Sequence, residues 1–277
     1  MMSILDTIIT HKRQELKDMR RKGLIPAGHE VFSPRGFRKA LVSDPGVSII
    51  AEVKKASPSK GLLCPDFDPA TIAEDYRAGG AKAVSVLTDE KFFQGKPEFL
   101  PRIREKLDLP LLRKDFIIDH LQIEEAGLWG ADAVLLIAAV LDDNMLSELL
   151  AHTREKGLDT LVEVHNEREM ERALAANADL IGINNRNLED FSVSIETTFR
   201  IKKALPEEIP LVSESGISTP DDIKRLLDAG VAAALIGEAL VKAEDRVKYL
   251  SALVEAGRLQ GSGDLKFYDK NKGLRAY

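Results

Sequence analysis

Cysteine is nearly absent: Cys64 is the single one in 277 residues. That excludes an internal disulfide and a multi-cysteine metal site. A lone thiol can act as a nucleophile, but no histidine stands near this one in sequence, so Cys64 reads as a bystander on a loop. Long apolar runs are missing as well. No stretch approaches the roughly 20 apolar residues of a membrane span, and Met1 to Arg21 holds no unbroken apolar core of signal-peptide length. These absences lead us to expect a cytoplasmic protein with no membrane partner. There is no excess of positive charge either. The formal net charge is −6 with 30% charged residues, and nucleic acid is excluded as an expected partner because phosphate-backbone affinity rests on clustered Lys and Arg. A glycine-rich dinucleotide fingerprint is also lacking, since the first apolar run is followed by Ser57-Pro58-Ser59.

What is present is repetition. The length allows one large domain or two ordinary ones. Ser3 to Arg20 carries Ile4, Leu5, Ile8, Ile9, Leu16 and Met19 on a helical stripe, with Ser3 placed as N-cap and Gly23 beyond the end. A short helix after Ser33-Pro34 carries Phe37, Ala40 and Leu41, with Pro34 suited to its first turn. From Ser48 onward strands and helices alternate. The expected strands are Ser48–Val53, Ala83–Leu87, Leu109–Arg113, Ala133–Ile137, Thr160–Val164, Leu180–Ile183, Pro210–Ser213 and Ala233–Ile236. The expected helices are Pro69–Ala78, Pro97–Lys106, Asp119–Trp129, Asp143–Lys156, Glu167–Ala175, Ile195–Ala204, Pro220–Ala229 and Asp245–Ala256. Three joints look alike, Gly130 to Ile137, Asn177 to Ile183 and Gly230 to Ile236; each is a helix stop leading into an apolar strand. Short, nearly all-apolar strands suit a parallel sheet covered by helices. The pattern predicts an α/β fold, a (β/α)8 TIM barrel with an N-terminal helical extension. We expect a single barrel domain over 1–256, including the extension 1–45, and a Gly-rich, charged, flexible tail over 257–277.

A barrel of this kind works at the face where the C-terminal ends of its strands meet. Glu52 and Lys54, Lys114 and Asp115, Glu163, Asn184 and Arg186, Glu214 and Ser215, and Gly237 all stand at strand ends. Two lysines and three glutamates in one mouth are costly unless paired or used. Ion pairs that merely seal a barrel end are the competing reading. Such a set can move protons: a lysine delivers one to a developing alkoxide, and a partly desolvated carboxylate accepts one. Small residues and free N–H groups after strands seven and eight suit a phosphate. Phe92, Phe93 and Phe116 could wall an aromatic group, or simply pack the loops. The residues therefore point to acid–base chemistry, without metal, on a phosphorylated small molecule with an apolar or aromatic part.

Several long motifs carry a resemblance. Ala51–Gly61 (AEVKKASPSKG), Leu112–Asp119 (LRKDFIID), Leu161–His165 (LVEVH), Ile181–Leu188 (IGINNRNL) and Val212–Ile217 (VSESGI) closely resemble the indole-3-glycerol-phosphate synthase family of tryptophan biosynthesis. The likeness runs from about Ser3 to Ala256. It implies a cofactor-free carboxy-lyase that converts 1-(2-carboxyphenylamino)-1-deoxyribulose 5-phosphate to indole-3-glycerol phosphate. By the resemblance Lys114 is the general acid at the ribulose carbonyl, and Glu163 transfers a proton in the dehydration. Glu52 and Glu214 orient lysines and substrate hydroxyls. Lys54 holds the substrate carboxylate or delivers a proton, a division from Lys114 that stays open. Asn184 and Ser215 match polar catalytic positions, and Arg186 meets the anthranilate carboxylate. Ser57, Gly216, Gly237 and Glu238 match the phosphate pocket, with Glu238 expected to contribute its backbone N–H because its carboxylate would repel an anion. Pro58, Phe93, Phe116 and Leu188 line the aromatic pocket. The N-terminal helix and the loop from Ser57 to Asp66 are expected to shield the site from water. A monomer or weak homo-oligomer is expected. A Schiff-base aldolase on Lys54 or Lys114 and a non-catalytic phosphosugar-binding barrel are the alternatives.

Overall fold

The structure, a computed structural model, describes residues 3–24, 32–188 and 190–259. Eight parallel strands close a barrel: β1 (Ser48–Val53), β2 (Ala83–Leu87), β3 (Leu111–Lys114), β4 (Ala133–Ile137), β5 (Asp159–Val164), β6 (Ile181–Asn184), β7 (Leu211–Glu214) and β8 (Ala233–Ile236). Each pairs with its sequence neighbours, and β8 closes on β1 with Ser48 opposite Ala233. Strands β3 and β7 begin one or two residues later than expected because Pro110 and Pro210 have no N–H to give a ladder. Along β3, β6 and β7 the pairing runs one residue further than expected, so that Lys114, Asn184 and Glu214 belong to the strands.

The helices are α1 (Ile4–Lys22), α2 (Phe37–Leu41), α3 (Pro69–Ala78), α4 (Glu90–Phe93), α5 (Phe99–Arg104), α6 (His120–Leu128), α7 (Asp143–Glu155), α8 (Glu167–Ala175), α9 (Glu196–Lys202), α10 (Pro220–Asp228), α11 (Glu238–Val241) and α12 (Arg246–Ala256). The short helices α4 and α11, and a small hairpin pairing Ala56–Ser57 with Gly61–Leu62, were not expected from the sequence. The three similar joints share one stop: Gly130, Asn177 and Gly230 adopt left-handed φ of 81°, 62° and 66°. The following N–H then reaches five residues back, as from Ala131 to Ala126 O at 2.9 Å and from Ala178 to Ala173 O at 2.9 Å.

Pleat parity divides each strand between two cores. Ile49, Ala51 and Val53 face the helices, whereas Ile50, Leu112, Leu161, Val212 and Leu235 fill the barrel. Two residues further on, the same inward face carries Glu52, Lys114, Glu163, Glu214 and Gly237. An apolar layer therefore sits directly beneath a polar one. The N-terminal extension serves both ends of the barrel. Phe37 and Leu41 of α2, both fully buried, join the interior cluster with Ile50, Ala83 and Val212, plugging the end where the strands begin. Pro34 stands three residues before α2, whose N-cap is Gly36, so it does not occupy the first turn.

Helix α1 lies over the opposite end. Its Ser3 cap forms a reciprocal box with Asp6. Lys12 falls on the apolar stripe between Ile8 and Leu16 and is 3% exposed. Its ammonium meets Asp115 Oδ1 at 2.8 Å, Asp89 Oδ2 at 2.9 Å and Glu15 Oε2 at 2.8 Å. Burial pushes Lys12 down, but the three carboxylates outweigh it and hold the ammonium well above its ordinary value. Burial likewise pushes Asp115 up, yet Lys12 and Arg113, with the Thr88 hydroxyl at 2.6 Å, hold it well below the usual carboxylate range. Asp115 is thus an anchor for α1. At the C-terminus the chain stays tied to the barrel through Val47 N–H to Gly257 O, 2.9 Å, and an antiparallel bridge from Gly46 to Arg258. Residues 260–277, with most of the expected tail, lie outside the described residues.

Removing one partner from a buried ion cluster strands the others. Lys12→Met is expected to lower unfolding free energy by ~3 kcal/mol, read as a fall in the urea midpoint with an unchanged slope.

Candidate active site

The C-terminal mouth of the barrel opens into a cavity of about 500 Å³. Lys114 stands at its centre. Its Nζ donates to Glu214 Oε2 at 2.8 Å and to Glu163 Oε2 at 3.1 Å. Both carboxylates are buried, at 5% and 2% side-chain exposure, while the lysine keeps 15%. Asn184 Nδ2 donates to Glu163 Oε1 at 3.1 Å. Beside this cluster Lys54 Nζ lies 2.6 Å from Glu52 Oε1. The pair packs on Gly237, where a Cβ would overlap the Glu52 carboxylate. Gly182 gives the same clearance to Glu214.

The charges set one another's protonation. Burial alone would lower Lys114, but Glu214, Glu163 and Glu52 hold it well above the ordinary lysine value. Burial alone would raise Glu163, but Lys114 and then His165 and Asn184 hold it well below the carboxylate range. Glu214 is pushed up by burial, pulled back by Lys114 and pushed again by the anions Glu163 and Glu52, ending above the usual carboxylate range. One carboxylate is therefore held as an anion, and its neighbour across the ammonium is the one that takes a proton more readily. Such a site can stabilise a developing oxyanion and pass protons on either side of it.

One end of the cavity is apolar. Phe93 and Phe116 stand 6.2 Å apart, tilted by 37°, and Pro58, Leu188, Ile4, Leu5 and Ile8 complete the wall. Phe92 is not part of it; its ring meets His11 of α1 edge-on at 5.9 Å. At the other end lie Ser57, Ser215, Gly216, Gly237 and Glu238. Ser215 and Gly216 both take left-handed φ, 68° and 74°. The turn is held from behind by Asn185, whose Nδ2 donates to Ser215 O at 2.9 Å while Thr198 donates to its Oδ1 at 2.8 Å. The Glu238 carboxylate accepts from both Lys60 and Lys242 at 2.7 Å. Burial would raise it, but these two lysines bring it down to about 2. Two cations on one anion leave this end with a net positive charge. Arg186 also lines the cavity; its N–H donates to Asn184 Oδ1 at 3.0 Å, and its guanidinium donates to Phe191 O at 3.4 Å.

Apart from Phe92, the residues expected at the site reach this one cavity. Not foreseen were Lys60 and Lys242, which line the cavity, and Lys12, Asn185 and His165, which support it from outside. Two carried a spacing signal: Lys12 interrupts an apolar stripe at four-residue intervals, and Lys242 follows Glu238 by one helical turn. Cys64 is buried outside the cavity, its thiol 3.7 Å from Asp66 O and 3.8 Å from Arg246. Among the described residues no group of three or more His, Cys, Asp or Glu side chains is arranged to hold a metal ion. Among the same residues no helix is long and apolar enough to cross a membrane.

Fold and cavity together define a (β/α)8-barrel enzyme built for proton transfer. Comparison with known proteins narrows the class. The family model described as indole-3-glycerol phosphate synthase matches residues 5–253. The indole-3-glycerol phosphate synthase of Desulfotalea psychrophila is 56% identical over 246 residues, 87% of this chain and 95% of that protein. That of Desulforamulus reducens is 48% identical over 264 residues, 92% of this chain and 98% of that protein. Among solved structures, 3-hexulose-6-phosphate synthase from Salmonella typhimurium matches with a TM-score of 0.63 at 14% identity, covering 76% of this chain and 98% of that one, a likeness of fold. The chain belongs to the indole-3-glycerol phosphate synthase family.

A methyl group at residue 182 would force the Glu214 carboxylate off the Lys114 ammonium. Gly182→Ala is expected to lower kcat in an indole-3-glycerol phosphate synthase assay by at least ~10-fold, since an ångström of misplacement can cost more than that.

Proposed function

We propose that the protein closes the indole ring of 1-(2-carboxyphenylamino)-1-deoxyribulose 5-phosphate, releasing carbon dioxide and water to give indole-3-glycerol phosphate. The observation that carries this reading is the Lys114 ammonium shared by Glu163 and Glu214 between an aromatic wall and a cationic end. Ring closure develops negative charge on the ribulose carbonyl oxygen. Lys114, charged at neutral pH, stabilises that oxygen more in the transition state than in the substrate and delivers its proton as the bond forms. Glu163, held as an anion, accepts a proton in the dehydration, and Glu214, its proton affinity raised by burial, exchanges with substrate hydroxyls. Glu52 orients Lys54 at 2.6 Å, leaving Lys54 to meet the substrate carboxylate or to supply a second proton. Asn184 holds Glu163 in place, and Arg186 meets the anthranilate carboxylate.

The extended substrate must be folded so that ring carbon meets carbonyl carbon. Anchoring both ends does this. The aromatic ring sits between Phe93 and Phe116, against Pro58 and Leu188. The phosphate sits on Ser57, Ser215, Gly216 and Gly237, near the N-terminal N–H groups of α11. Glu238 lends its backbone there, while its side chain is neutralised by Lys60 and Lys242. The protein acts in the cytoplasm, as a monomer or weak homo-oligomer.

An assay of indole fluorescence with the named substrate tests the reading. Lys114→Ala is expected to lose at least ~10²-fold in kcat, and near-full activity would remove Lys114 from the chemistry. Borohydride trapping of a covalent adduct at Lys54 or Lys114 would replace the reading with a Schiff-base aldolase. Glu238→Gln leaves two lysines unopposed, so inorganic phosphate should bind ~3- to 10-fold more tightly by calorimetry at low ionic strength, the gain shrinking as salt screens it.

A further inference from the structure

His165 follows the last residue of β5 and stands two residues beyond Glu163, so pleat parity turns both side chains to one face. Its ring lies between two carboxylates. Nε2 is 3.3 Å from Glu163 Oε1, and Nδ1 is 3.1 Å from Glu169 Oε2 of α8. Its backbone N–H also donates to Glu169 Oε2, at 2.7 Å. The other Glu169 oxygen accepts from Asn166 Nδ2, the N-cap side chain of α8, at 2.7 Å. The ring is 11% exposed and does not line the cavity. Among the described residues Nε2 has no directed hydrogen-bond partner, so its contact with Glu163 is one of charge with charge. A neutral imidazole presents a lone pair from one of its nitrogens, and here that lone pair would face an anion. Carboxylates at both nitrogens call for the imidazolium.

We propose that His165 is a positioning residue: its imidazolium and the Lys114 ammonium bracket Glu163, keep it ionised, and leave the exchangeable proton of the cluster to Glu214. This rests on the ring-closing activity proposed above. The bracket is complete on all sides of Glu163, with Lys114 from β3 on Oε2 and Asn184 from β6 beside His165 on Oε1. Glu169 faces the far side of the imidazole, and Glu214 and Glu52 face Lys114 from β7 and β1. Burial would lower the proton affinity of His165, but the Glu163 and Glu169 carboxylates on either side of the ring carry it up to about 10. Glu163 is thus anionic at neutral pH before substrate arrives. Without the imidazolium, Glu163 and Glu214 compete for the same proton.

His165→Gln removes the charge and keeps a polar side chain. The ratio of variant to wild-type kcat/KM, measured against pH, is expected to be at least ~2-fold lower at pH 6 than at pH 9, because one proton shared between Glu163 and Glu214 leaves Glu163 protonated in about half of the molecules at the lower pH. A ratio that is constant between these pH values would mean a purely structural role and would overturn the proposal. In the wild type, the imidazole ¹⁵N shifts of His165 should report a charged ring up to at least pH 9; titration below pH 8 overturns the proposal equally. Should His165→Gln not fold, Glu169→Gln should bring the His165 titration down by at least ~1 unit, and an unmoved titration refutes the bracket. Absence of indole formation by the wild type would sink the activity alone, since the ¹⁵N measurement needs no turnover.

Discussion

An ammonium held between two buried carboxylates is the arrangement on which the rest of this protein depends. A carboxylate deep in a protein protonates unless a cation or hydrogen-bond donors hold it ionised. Lys114 alone cannot hold both of its partners as anions. The outcome is asymmetric: the second oxygen of Glu163 has the Asn184 amide as a donor and the His165 ring beside it, whereas Glu214 Oε1 is buried without a hydrogen-bond partner among the described residues. The asymmetry that chemistry needs is therefore built from second partners rather than from the lysine. The barrel supplies the remainder. Pleat parity lifts inward side chains one layer above a dry core, and closure of the sheet brings β3, β5 and β7 to the same axis.

Much of this was legible in the residues. Four barrel strands begin and end where apolar runs and turn residues had placed them, because a strand buried on both faces leaves an uninterrupted apolar signature. The repeated helix stops were readable because Gly130, Asn177 and Gly230 are the residue types that tolerate a left-handed φ. The convergence of Glu52, Lys54, Lys114, Glu163 and Glu214 followed from their positions at strand ends once a barrel was assumed.

What escaped the sequence depends on direction and distance between segments far apart in the chain. Lys12 looked like a gap in an apolar stripe, and only the folded barrel brings Asp89 and Asp115 to meet it. Glu238 was expected to lend its backbone alone, but Lys60, from a hairpin 178 residues earlier, closes on its side chain. His165 ends a recognised motif, yet its neighbour Glu169 belongs to the helix that follows, and their contact depends on how α8 leaves the strand. Proline shifted strand starts by a residue or two for a local reason, the missing N–H, which the apolar pattern does not record.

Helix α1 supplies Ile4, Leu5 and Ile8 to the same enclosure as Lys114, although it precedes the first strand by more than a turn of chain and a plug at the barrel's far end. The functional unit therefore starts earlier than the architectural one. A boundary drawn at Ser48 would pass through the wall of the reaction chamber, and a barrel trimmed to its eight repeats would keep every charged group that lines the chamber while losing part of its roof.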